Sequence, residues 1–386
     1  MKKLAIITTH PIQYNAPLFK LLKQRGNISI KVFYTWSQSK VSVYDARFGV
    51  ERNWDIPLLE GYEFEFVKNI SLRPDSNRFF GIINPGLKKK LIQQKFDVVL
   101  IYRWSVWSHL LLMLTKGSKV RIWFRGDSHL QTAYSNPIKN FFKRKVLSLV
   151  YSNVSRIFYA GSMNKRYFNY YGVEDSKLYF MPHAVDNGRF ITEAAHHMQK
   201  AKEERQLLGI NDTDIVFLYA GKFYDIKNLT LLINAFQKLK GSQYRLLLFG
   251  SGEQEEQLRE LAATDIRIHF QPFQNQSAMP FVYRMGDVYV LPSKSETWGL
   301  GVNEAMACGL PAIVSTACGC APELIISNET GFTFEAHQEA DLLQQLQRFT
   351  NRSVARIMGV KAQKHIEQFS LEQQAKVIEE SLLSGI

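Results

Sequence analysis

Short, continuous apolar runs alternate with longer stretches of helical periodicity along most of the chain. In the first half the runs fall at residues 3–8, 27–35, 63–68, 97–102, 119–124 and 155–160. In the second half they fall at 215–220, 245–249, 266–270, 287–291 and 311–315. Runs of this length without polar alternation predict strands buried on both faces of a parallel sheet. Between them, apolar spacing near 3.6 predicts helices at 16–24, 85–94, 105–115, 137–151 and 162–171, then at 228–240, 253–263, 277–284, 299–308 and 319–327. Strand–helix alternation of this kind predicts an α/β protein of Rossmann-like domains. At 386 residues, two such domains are expected. The polar stretch 192–205 stands between the two rounds of alternation, and the boundary is placed near residue 188. The domains are thus 1–188 and 189–368, with a closing helix in 369–386.

Charge divides the halves. Residues 1–188 carry 29 Lys+Arg against 12 Asp+Glu, a balance of +17, and the remainder carries 19 against 23, a balance of −4. The formal +13 of the whole chain therefore belongs to the first half. Polyanions are the partners of such a half, either nucleic acid or an anionic membrane surface. The stretch 137–151 places Phe141, Phe142, Leu147 and Leu149 among Lys143, Arg144 and Lys145 at helical spacing, and Lys88 to Lys90 add a second basic run. A basic amphipathic helix favours the membrane. No run approaches the roughly 20 apolar residues of a spanning helix. The start of the chain lacks the apolar length and cleavage site of a signal peptide. Cys308, Cys318 and Cys320 have no metal-ligand spacing and point to a reducing, cytoplasmic compartment.

The chemistry concentrates in Ser295 to Pro311, which reads S-E-T-W-G-L-G-V-N-E-A-M-A-C-G-L-P. A strand empties through Pro292 and Ser293 into a loop that carries Glu296. A helix then starts near Gly299 and carries Glu304, eight residues after Glu296. Ligands of open α/β sheets lie at the carboxyl ends of strands, where helix N-termini attract anions. Two carboxylates flanking such a start suit a ligand with phosphate in the middle and hydroxyls at both ends, such as a nucleotide-sugar. Lys222 and Lys227, at the two ends of the loop after the first strand of this half, can reach one diphosphate from two sides.

This segment resembles the E-x7-E motif of the retaining family 4 glycosyltransferases, which have the GT-B fold of two Rossmann-like parallel-sheet domains facing across a cleft. Asp287 to Ser293 before it, and Gly319 to Glu323 and Thr330-Gly331 after it, extend the resemblance over about residues 180–335. The resemblance implies a donor site in which Glu304 bonds the ribose and Glu296 the transferred sugar. Lys222, Lys227 and amides near Gly299 and Leu300 hold the diphosphate, and Phe273 lies at the base. It further implies that Pro182-His183-Ala184-Val185-Asp186 is the crossover between the domains, and that a closing helix crosses back to the first domain.

In the first half, His10, Gln13, Tyr14 and Asn15 follow the first strand where many GT-B enzymes have glycines, which makes that loop a side-chain surface of the cleft. Arg125 stands about where the family often has a histidine, with Asp127 and His129 behind it. Arg125 can bind an anionic acceptor or the leaving phosphate, and Asp127 can accept the acceptor's proton. The long aromatic stretch 36–62 can serve as an acceptor lid or as simple loop packing.

The leading expectation is a retaining, metal-independent glycosyltransferase. It would use a nucleoside-diphosphate sugar, with UDP as the first guess, and no cofactor. The acceptor would be a lipid-linked or cell-envelope saccharide at the inner face of the plasma membrane. A nucleotide-sugar epimerase and a catalytically silent GT-B partner subunit are the alternatives. A nucleic-acid binder leaves both glutamates and both lysines without a role.

Overall fold

The structure is a computed structural model that describes residues 1–36, 43–45, 50–52, 55–114, 120–130 and 137–384. Its strands are β1 (Lys3–Thr8), β2 (Ser29–Tyr34), β3 (Val43–Asp45), β4 (Val50–Arg52), β5 (Phe64–Phe66), β6 (Val98–Tyr102), β7 (Arg121–Arg125), β8 (Arg156–Tyr159) and β9 (Leu178–Phe180). They continue with β10 (Ile215–Lys222), β11 (Tyr244–Ser251), β12 (Ile268–Gln271), β13 (Val288–Leu291), β14 (Ala312–Ser315) and β15 (Gly331–Phe334).

By its internal contacts the chain divides into two units. The first comprises Met1–Ser42, Pro57–Pro182 and Leu371–Ile386, and the second Val43–Ile56 and His183–Ser370. In the first unit a parallel sheet has the order β5-β2-β1-β6-β7-β8-β9. In the second the order is β12-β11-β10-β13-β14-β15, again parallel. The central apolar runs form these strands because they are covered on both faces, Leu4 to Ile7 and Ile215 to Leu218 being fully buried, whereas the edge strands β5, β9 and β12 are only part-covered. Each sheet reverses its strand order once, between β1 and β6 and between β10 and β13. Crevices for ligands open at such reversals, at the carboxyl ends of the strands.

Three local outcomes differ from the sequence reading. The helix expected over 319–327 shortens to Ala321–Leu324, because Thr330 Oγ1 bonds Ile326 N and Leu324 O and turns the chain into β15. Helices Glu339–Gln347 and Arg352–Ile366, and strand β15, were not singled out by periodicity. Val43–Ile56 groups with the second unit although it sits in the first half of the sequence; the Asp55 carboxylate accepts from Ser277 N at 3.1 Å and from its hydroxyl. Part of the aromatic stretch 36–62, including Phe48 and Trp54, lies outside the described residues, so the choice between lid and loop packing falls partly on them.

The last helix, Leu371–Leu383, belongs to the first unit, where it packs on the helix Ala16–Arg25. Glu379, nearly enclosed, receives a bidentate pair from Arg25 (2.8 and 3.0 Å) and a third bond from Asn27 at 3.1 Å. No described helix is long and apolar enough to cross a membrane.

Candidate active site

The second unit assembles its polar groups at the β10/β13 reversal. β10 ends at Lys222, and a 3-10 turn, Asp225–Lys227, leads into the helix Leu229–Lys238. β13 empties into the loop carrying Glu296. The two loops are tied by Lys294 N donating to Ile226 O at 2.8 Å. The Glu296 loop is also laced to the segment after β14: Glu296 N bonds Ala317 O (3.3 Å), Gly319 N bonds Glu296 O (3.0 Å) and Cys320 N bonds Trp298 O (3.0 Å). Gly319 permits this approach, since a Cβ there would collide with the Thr297 carbonyl oxygen.

Within this frame Lys227 forms an ion pair with Glu296 Oε2. Burial opposes the lysine's charge, but the adjacent carboxylate outweighs it and holds the ammonium above its ordinary pKa. Gly299 caps the helix Leu300–Ala307 in a left-handed conformation, φ +108°. Trp298 is 3% exposed, and its indole N–H donates to Asn303 Oδ1 at 2.8 Å; Asn303 in turn donates to His183 O at 3.1 Å. The start of that helix is therefore fixed by its own side chains. Glu304, also on this helix, is 3% exposed. Tyr283 donates to its Oε2 at 2.6 Å, and Arg189 Nη2 lies 3.9 Å from Oε1 while donating to Gln276 at 2.8 Å. Lys222 and Leu300 are part-buried at the same edge, and Phe273, part-buried, follows the end of β12.

The first unit gathers a second set at the β1/β6 reversal and the neighbouring β7. His10 follows β1; its Nδ1 lies 2.9 Å from Thr9 Oγ1 and its ring is edge-on to Trp36 at 5.4 Å. Gln13 and Tyr14 are part-buried in the same loop, and Asn15 is the residue before the helix Ala16–Arg25. Arg103 follows β6 at φ +67°, a strained conformation for a non-glycine residue. Arg125, the last residue of β7, is 3% exposed, and its Nη1 donates to Met181 O. Burial brings that guanidinium down to about 10, against the attraction of Tyr102 and Asp127. It remains charged but enclosed, so at this edge the part-buried Asp127 is the more open of the two.

Sequence reasoning missed Arg103, His109, Tyr283 and Arg189. Arg103 stands in the loop after β6, and the other three lie on helices whose pattern gives no sign of a site. His109 is fully buried; its Nδ1 lies 2.8 Å from Arg103 O and 3.0 Å from Tyr102 O, and its Nε2 lies 2.9 Å from Thr35 Oγ1. Both neighbours of Nδ1 are acceptors, so Nδ1 carries the hydrogen and holds the strained Arg103 carbonyl.

Burial, with Arg103 beside them, pushes both His10 and His109 down to about 4. Unfolded imidazoles take protons near pH 6.5, and these folded ones do so only near 4. Stability contributed by the neutral rings is therefore full above about 6.5 and lost as pH falls towards 4. A loss on the order of 3 kcal/mol per ring is expected over that window, read as a falling melting temperature, and His109→Asn should flatten the slope by removing one of the two. A melting temperature that holds constant from neutral pH to about 4.5 would contradict this.

Desolvation pushes up the thiols of part-buried Cys308 and of buried Cys318 and Cys320, and none is in a disulfide. Among the described residues no group of three or more His, Cys, Asp or Glu side chains is placed to hold a metal ion.

Comparison with known proteins matches residues 200–368 to the family described as glycosyl transferases group 1. The chain is 31% identical over 191 residues to a D-inositol 3-phosphate glycosyltransferase of Rhodococcus opacus, an alignment covering 46% of this chain and 42% of that protein. It spans less than half the length of the curated relatives it matches first. In structure it resembles the sucrose-phosphate synthase of Thermosynechococcus elongatus over the whole of both chains (TM-score 0.75, 17% identity). It likewise resembles Anabaena HepE, solved in complex with UDP and glucose, over the whole of both chains (TM-score 0.71, 17% identity). Residues 200–368, less than half of the chain, thus match the group 1 glycosyl transferases, and the two parallel-sheet units have the GT-B fold.

Proposed function

We propose that the chain is a retaining glycosyltransferase that moves a sugar from a nucleoside-diphosphate sugar to a lipid-linked or cell-envelope saccharide. The observation that carries this reading is the pairing of Lys227 with Glu296 at the β10/β13 reversal, next to a helix start fixed by Gly299 and Trp298. A carboxylate held by a lysine at a helix N-terminus can accept sugar hydroxyls while the lysine and the free amides face phosphate. In this reading Glu304, oriented by Tyr283, bonds the ribose, and Phe273 borders the base.

In the reaction the bond between the anomeric carbon and the β-phosphate oxygen breaks. Lys222, Lys227 and the amides at Gly299 and Leu300 stabilise the charge that develops on the departing diphosphate. The acceptor hydroxyl bonds the anomeric carbon on the same face, and its proton passes to Asp127. Arg125, whose guanidinium is attracted by Asp127, acts as a positioning residue. His10, Gln13, Tyr14 and Asn15 form the acceptor loop. The lysines supply the positive charge, so the reading requires no metal or other cofactor. The proposed place of action is the cytoplasmic face of an anionic membrane. The fold shared with HepE supports UDP as the first nucleotide to test.

Calorimetric titration with UDP, GDP, ADP and CMP, in EDTA and then with Mg²⁺, tests the donor site. One diphosphate should bind in EDTA, and Glu304→Ala should weaken it by about tenfold or more, since one carboxylate accepting ribose hydroxyls contributes about 1.5–3 kcal/mol. Absence of binding by all four would overturn the assignment.

A further inference from the structure

The helix Pro137–Ser152 is apolar on two sides. Leu147, Val150 and Tyr151 are buried in the core of the first unit. Ile138, Phe141, Phe142, Val146 and Leu149 recur at helical spacing on the other side and stand exposed, Ile138 to 67% and Phe142 to 64%. A helix that served only to cover its sheet would turn a polar face outward. Cations accompany this second stripe: Lys145 lies 5.7 Å over the Phe141 ring, Lys143 5.9 Å over Tyr171 and Arg144 5.0 Å over Tyr170. The helix contains no carboxylate.

The exposed apolar surface extends beyond this helix. The helix Trp107–Met113 packs against it and also against the 3-10 turn Phe79–Gly81. Phe80, 61% exposed, lies with its ring 5.6 Å from that of Trp107, and Leu111 is 53% exposed. The helix Trp107–Met113 likewise carries no acid. By contrast Lys90, in the second basic run, pairs with Glu65, so that run contributes only Lys88 and Lys89 as exposed cations.

We propose that this face, formed by Pro137–Ser152, Trp107–Met113 and Phe79–Gly81, seats the protein on a bilayer containing anionic lipid. The inference rests on the lipid-linked acceptor proposed above, whose sugar would be presented at such a surface. Charge complementarity selects this occupant: lysines and an arginine set among exposed phenylalanines suit a layer with phosphate outside and acyl chain within, where long basic stems reach outward and aromatic rings enter. Protein interfaces, in contrast, exclude lysine from their apolar centres.

The test is co-sedimentation of the full chain with vesicles of phosphatidylcholine alone, and of phosphatidylcholine with about one third phosphatidylglycerol. The chain should bind the anionic vesicles about tenfold or more better than the neutral ones, and Phe141→Ser/Phe142→Ser should remove about tenfold of that binding. Both rings are exposed, so this variant should melt as the parent does and bind nucleoside diphosphate unchanged. Undiminished binding by the variant, equal binding to neutral vesicles, or no binding to either overturns the proposal. So does a concentration-dependent dimer, seen by light scattering and abolished by the same variant, without vesicle binding. Vesicle binding through these residues by a chain that binds no nucleotide would leave this inference standing while the proposed function fails.

Discussion

Lys227→Ala is expected to slow donor turnover at saturating donor by about 10²–10³-fold, the usual consequence of removing one preorganised charge from a developing anion. Lys227 is held in place before any ligand arrives: its ammonium pairs with Glu296, and Ile226 beside it is tied through its carbonyl to Lys294 N. That preorganisation makes the lysine more effective in the transition state than a mobile surface lysine. Turnover can be read as transfer, or as hydrolysis of whichever nucleotide-sugar binds. The substitution also strands Glu296, whose side chain is only 23% exposed, so some stability is lost as well. Two controls separate the effects. Glu296→Gln combined with Lys227→Ala should recover melting temperature without recovering rate. Lys227→Arg should keep the charge but lose most of the rate, because a forked guanidinium does not fit where a compact ammonium sits. A Lys227→Ala chain that turns over normally at a temperature where it is folded would sink the assignment.

Gly299→Ala is expected to lower stability by about 3–5 kcal/mol, combining a left-handed backbone with an overpacked contact. At φ +108° an alanine is strained whatever the space around it. Its Cβ would also lie 2.7 Å from Leu291 Cδ2 and 3.3 Å from Cys320 Sγ, neither of which can yield easily inside the core. A fall of roughly 10 °C or more in melting temperature follows for a unit of this size. The helix Leu300–Ala307 carries Glu304 and begins beside Glu296, so nucleotide affinity should fall with it even well below the melting transition. Gly309 makes the useful comparison. It too has a positive φ, +82°, but nothing crowds its absent side chain, so Gly309→Ala should cost less. Equal losses at the two positions would show that the close packing around Gly299 is unimportant.

The strand runs were legible because burial on both faces leaves an unmistakable composition; β1 occupies Lys3–Thr8 as read, and the other shared strands shift by no more than two residues at either end. β15 escaped notice because Gly331–Phe334 is short and includes a glycine and an exposed Thr333. The segment with Glu296, Gly299 and Glu304 was legible because strand, loop, glycine and helix follow one another in sequence, and so must lie at one sheet edge. Tyr283 and Arg189 were not, because they reach Glu304 from elements remote in sequence, with no spacing rule to link them.

What the sequence alone determined is local and periodic: two rounds of strand–helix alternation, a basic first half, and a carboxylate pair around a helix start. What the tertiary structure decided is which charges meet and which side chains are covered. It joins Lys227 to Glu296 across 69 residues, encloses Arg125 against Met181, and holds the Arg103 carbonyl with a histidine from the following helix. It also turns five apolar residues of Pro137–Ser152 outward. Periodicity could report that this helix had an apolar face, but not that it had one for the core and another for solvent. That distinction depends on which side the sheet occupies, and only the folded chain supplies it.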